Sequence, residues 1–155
     1  MKRFHKDTRG NASLWAVFLM AVLFLLAVVA YTGATLYSTY QSAQTELERV
    51  ANVSVDASLL NANVRDLLLD IPADAAVQKV YTNLASVGFV QDVSGDWERM
   101  EEGKTRYCLK GVQITVSGKM LDLSATLSMP LPLEVGCHLE VELPISAHVN
   151  VLYMD

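Results

Sequence analysis

LWAVFLMAVLFLLAVVAY, residues 14–31, is the stretch on which the fold turns: all 18 residues are apolar. At a helical rise of about 1.5 Å per residue, this run and its weaker continuation through Tyr37 cover a hydrocarbon core of about 30 Å. Lipid offers no partner for bare backbone amides, so the segment must be helical there. Trp15 at one end and Tyr31, Tyr37 and Tyr40 at the other suit the two interfacial belts. A cleaved secretory signal fits less well. Its apolar region spans about 7–15 residues and ends in a small-x-small site, whereas this run is longer and exits through tyrosines.

The charges around the run orient it. Lys2, Arg3, Lys6 and Arg9 against Asp7 give the first nine residues a net +3, and no charged residue follows until Glu46. The remainder carries eight Lys/Arg and sixteen Asp/Glu, a net −8, which makes −5 for the chain. Basic residues stay on the cytoplasmic side. The expected topology is therefore a single-pass membrane protein with residues 1–10 as a basic cytoplasmic tail or leader and 11–37 as the transmembrane helix. Residues 38–54 would continue that helix outside the membrane, and 55–155 would form an extracytoplasmic domain. An apolar content of 52% excludes a mainly disordered chain, and the acidic balance argues against nucleic acid as a partner.

Residues 38–54 contain no Pro or Gly, and Tyr40, Ala43, Leu47 and Val50 form a helical stripe, with Glu46, Glu48 and Arg49 read as lying off it. Leu60, Val64, Leu67 and Ile71 keep helical spacing up to Pro72. Ala76, Val77, Val80, Tyr81 and Leu84 make another apolar face before Gly88. Beyond residue 105 the period becomes two. Val112–Val116, Leu121–Met129 and Leu139–Val151 read as three strands, with Gly118-Lys119 closing an antiparallel hairpin and Pro144 suited to an edge. The expected fold class is α+β: a long N-terminal transmembrane helix, short helices and a three-stranded antiparallel sheet. A core of this size is marginal alone. Cys108 and Cys137, on the outer side, are the candidate disulfide, a bridge closing about 30 residues and adding about 3 kcal/mol.

Catalytic patterns do not emerge. The histidines are His5, His138 and His148, and HExxH, CxxC, GxSxG and Gly-rich phosphate loops are absent from the sequence. His138 and His148 read as solvent-facing strand residues. Residues 92–102, DVSGDWERMEE, read as a solvated acidic loop; Asp92, Asp96, Glu98, Glu101 and Glu102 are hard oxygen ligands of the kind Ca²⁺ takes, but their spacing is not that of an EF-hand. The reading is of a non-enzymatic chain without catalytic residues, cofactor, metal or small-molecule substrate.

Arg9-Gly10, then Asn11-Ala12-Ser13-Leu14-Trp15 and a long apolar helix, followed by short helices and a small sheet, resemble type IV pilin-like proteins. The chain looks most like TadE-like minor pilins (pseudopilins) of tight-adherence, or Flp, pilus systems. Val112–Val116, the Met129-Pro130-Leu131-Pro132 strand end and Leu143–Val149 are part of that likeness. The resemblance implies peptidase processing after Gly10, leaving Asn11 at the N-terminus. It also implies partners in other pilin-like subunits and the pilus assembly machinery, besides the lipid bilayer. The family usually carries Glu five residues after the cut, where this chain has Trp15. That departure favours a minor, initiating or permanently membrane-bound component over a bulk subunit. Trp15, Ala16, Ala21, Ala27, Ala30 and Gly33 are candidate helix-packing positions, small residues letting helices approach in lipid. The alternative is a monomeric, membrane-anchored extracytoplasmic binding module with no filament role.

Overall fold

The computed structural model describes residues 8–62, 71–101, 103–131 and 139–151. Residues 1–7 of the basic tail, the helical stretch expected around Val64 and Leu67, Glu102, Pro132, Cys137 and His138 lie outside the described residues. The chain falls into two compact units, Met1–Thr35 and Leu36–Asp155.

Helix α1 runs unbroken over Thr8–Ala62. Leu14–Tyr31 within it is exposed, with Val28 half-buried, and is long and apolar enough to cross a membrane. From Tyr40 onward the helix turns amphipathic. Ala43, Leu47 and Val50, three members of the stripe, are buried together with Ala51 and Val55. Buried Ser54 satisfies its hydroxyl locally, donating to the Val50 carbonyl, and accepts a bond from Asn83.

Helix α2, Ala73–Val87, follows Pro72 and buries Ala76, Val80 and Leu84. Gly88 ends it at φ +99°, with its N–H bonded to the Ala85 and Leu84 carbonyls. A residue with a Cβ reaches this left-handed conformation only at a cost, so glycine is the natural stop.

The fold is α+β, and among the described residues its sheet has five antiparallel strands rather than three. They are β1 (Phe89–Gln91), β2 (Trp97–Glu101), β3 (Lys104–Ser117), β4 (Met120–Pro130) and β5 (Glu140–Asn150), in spatial order β1-β2-β3-β4-β5. The last three lie where period two placed them. The first two were missed for a physical reason. β1 is three residues long, and β2 puts Arg99 where an alternating strand would show an apolar residue. The acidic segment is thus not one loop. Asp92–Asp96 forms the β1–β2 turn, closed by Asp92 N–H to the Asp96 carbonyl at 2.8 Å, and Trp97 onward is strand.

A bulge decides which side chains of β3 reach the core. Lys110 pairs with Thr126 and Gln113 with Ser124, so the register slips between them at Gly111, φ +60°. Asp96 holds the bulge by accepting the Gly111 N–H at 3.2 Å. Before it, Tyr107 and Leu109 face the helices; after it, Val112, Ile114 and Val116 do. Without the extra residue one of these two sets would face solvent. β4 supplies Leu121, Leu123, Ala125, Leu127 and Met129, and β5 supplies Ile145 and Ala147. One face of the sheet therefore packs on α1 and α2 while the other is polar.

Gly88→Ala should cost about 1–2 kcal/mol for the left-handed backbone alone. It should cost more in total, because the new Cβ would strike the Arg99 guanidinium. Chemical denaturation of the purified variant reads this directly.

Candidate functional site

The helix-facing side of the sheet carries a polar cluster. Tyr107 donates its hydroxyl to Glu46 Oε2 at 2.5 Å, and Arg99 Nη2 lies 3.5 Å from Glu46 Oε1. Arg99 Nη1 also donates to the Val87 carbonyl at the end of α2, and the guanidinium stacks 5.7 Å from the Phe89 ring centroid. Phe89 meets Tyr107 edge-on, and Trp97 stacks on Tyr81 with centroids 6.0 Å apart. Burial pushes the Tyr107 hydroxyl well above its ordinary range, and the Glu46 carboxylate pushes it further. The cluster ties α1, α2 and the first three strands together. It is structural in character, since each group already holds a protein partner.

Glu46 is nearer the apolar stripe than the sequence reading placed it. At about 100° per residue it falls roughly 40° from Val50 and 60° from Ala43, at the stripe's margin. That angle was the available signal for a carboxylate facing the domain. Arg99 gave no signal, since its acceptors are 53 residues upstream and at the end of another helix.

The opposite face carries Cys108. The cross-strand row Glu98–Cys108–Ser128 lines a depression of about 350 Å³ with Asp92, Asp96, Lys110 and Glu140. Lys110 Nζ reaches Glu142 at 2.9 Å and Glu140 at 3.2 Å, and these bonds raise its pKa. Ser128 donates to Glu140 at 2.7 Å. Cys108 carries a free thiol, half-buried, and partial burial with the Asp96 and Glu98 carboxylates pushes it up to about 11. It sits within β3, and its expected partner Cys137 lies outside the described residues. Among the described residues no group of three or more His, Cys, Asp or Glu is arranged to hold a metal. Asp96 instead supports the Gly111 bulge, and Glu98 accepts from Thr105 at 3.4 Å.

His148 is exposed, as the strand alternation required, yet partnered. Its Nδ1 lies 2.6 Å from Asp122 Oδ1, directly across the β4–β5 pair, and its Nε2 lies 3.4 Å from Ser146 Oγ. The connectivity is that of a Ser–His–Asp relay. The setting is not: the His148 side chain is 72% exposed on an open sheet face. Such relays depend on a water-excluded site with donors aimed at the developing charge. Here the trio reads as cross-strand polar pairing.

Gly10 and Asn11 fall in the first turns of α1. Trp15, Ala16, Ala21, Ala27, Ala30 and Gly33 are all exposed, Trp15 touching Phe18 edge-on at 5.9 Å. A Cβ at Gly33 would meet nothing within 4 Å, so this chain's own packing does not require that glycine. No family model, curated protein or solved structure matches the chain.

Two measurements probe the clusters. The folded-state pKa of Tyr107 is raised, so its stability contribution is whole below its ordinary pKa of about 10 and is lost as pH climbs beyond it. Tyr107→Phe should flatten that alkaline loss in denaturant midpoints. At neutral pH it should cost about 1–3 kcal/mol through the hydrogen bond to a charged acceptor. In the reduced protein, alkylation of Cys108 should keep rising with pH toward about 11, where an unperturbed thiol would level off sooner.

Proposed function

We propose that this chain is a non-enzymatic, membrane-anchored, pilin-like subunit that takes part in assembling a type IV pilus of the Tad/Flp kind or a related secretion filament. The observation that carries the reading is the continuity of α1. One helix of 55 residues has an exposed apolar first half and a second half that lends one face to the core of an α+β domain. That division serves a subunit held in lipid before assembly and packed among like helices afterwards.

The N-terminus is cytoplasmic and the sheet domain extracytoplasmic, in line with the +3 charge of the first nine residues. Small residues on the exposed helix, Gly33 above all, permit close approach of a neighbouring helix. Processing after Gly10 would free Asn11, and Trp15 in place of the family's usual Glu fits a minor or initiating role. In an oxidising compartment Cys108 and Cys137 would join.

Mass spectrometry of the protein from its native membrane, without reductant, tests these points together. The expected species begins at Asn11 and is lighter by two hydrogens than the reduced form. Free thiols would remove the bridge. An intact N-terminus, with a lone monomer after mild detergent extraction, would overturn the filament reading in favour of an anchored binding module. Co-purification with other pilin-like subunits is the expected result.

A further inference from the structure

At the start of the domain, Leu36, Tyr37 and Tyr40 on α1 and Leu143 and Pro144 on β5 line an apolar groove of about 390 Å³. Leu143 belongs to the helix-facing side of β5, like buried Ile145 and Ala147, yet it remains 37% exposed. A row of core side chains thus runs out into an open apolar face. Among the described residues no charged side chain lines it. Glu142, the neighbour of Leu143, points to the other face, where Lys110 holds it at 2.9 Å.

The groove lies at the free edge of the sheet, yet it is poorly suited to pairing with a further strand. Pro144 has no N–H to donate, and Gln44 already occupies the Ser146 carbonyl at 2.9 Å. An occupant must therefore bring apolar bulk rather than backbone hydrogen bonds.

Position along α1 says what it is. Counted from Leu14, about 20 helical residues fill a hydrocarbon core, which ends near Gly33. Leu36, Tyr37 and Tyr40 follow within about 10 Å of helical rise, the depth of the headgroup and glycerol layer where tyrosines collect. We propose that this groove is a second membrane contact: interfacial lipid fills it, and Leu143 and Pro144 rest the edge of the sheet on the outer bilayer surface. The contact gives the domain a fixed stance on the membrane, where a single helix alone would let it tilt. The inference rests on the reading of residues 14–31 as a membrane span.

The full chain in phosphatidylcholine vesicles, with and without bromine on the acyl chains, tests it. Bromine quenches only indoles at lipid depth. Once the Trp97 emission of the Trp15→Phe parent is subtracted, Leu143→Trp in that background should lose emission severalfold in brominated vesicles, and Pro144→Trp should do the same. Ser124→Trp, on the polar face, should not, and buried Trp97 supplies a constant background. The unsubstituted chain reports on the span through Trp15. Quenching of Trp15 with none at positions 143 and 144 would leave the span standing and overturn the docking. Quenching at neither would overturn both. Blue-shifted but unquenched emission at 143 and 144, accompanied by a dimer, would assign the groove to a second copy and overturn the lipid contact.

Discussion

A carboxylate on an otherwise apolar helix must keep water or find partners, and Glu46, the first charge after Arg9, finds Tyr107 and Arg99. Much of the domain's geometry follows from that requirement. Tyr107 must come before the Gly111 bulge on the helix-facing side, and Arg99 must replace an apolar residue in β2. Arg99 in turn satisfies the Val87 carbonyl at the end of α2, which is left open as the helix stops at Gly88. Net, each such bond is worth about 1–3 kcal/mol. Their larger effect is to select one register: a carboxylate and a guanidinium on the core side tolerate few alternative pairings.

The sheet manages its two faces and two edges with local devices. Gly111 lets β3 give both Tyr107–Leu109 and Val112–Val116 to the core, although these sets have opposite parity. On the far face, ion pairs and hydrogen bonds such as Lys110 with Glu140 and Glu142, and Asp122 with His148, fill the polar surface. One edge strand is only three residues long and the other carries Pro144, so neither invites edge-to-edge association. Contacts with lipid or other subunits then fall to apolar side chains, those of the exposed helix and of the groove beside Pro144.

Residues 14–31, the Tyr40–Val50 stripe, the stop at Gly88 and the last three strands were legible because each is a local regularity. Each is a period of 3.6 or 2, or a residue with one favoured conformation. What escaped was non-local. β1 and β2 gain their order by pairing with β3, and their own residues show no alternation because Arg99 answers to Glu46 across the core. The three-strand expectation failed for that reason. Cys108 shows the same division: its identity hints at a bridge, but its half-buried place in an acidic row on β3 came only from the register.

The sequence by itself determined that a long apolar helix leads into an α+β domain, since burying apolar surface at helical and strand periods leaves few other solutions. Tertiary structure alone decided the number of strands, the partners of Glu46 and His148, and the groove where Leu36 meets Leu143. Those depend on residues up to 107 positions apart meeting in space, and no local pattern of hydrophobicity records such meetings.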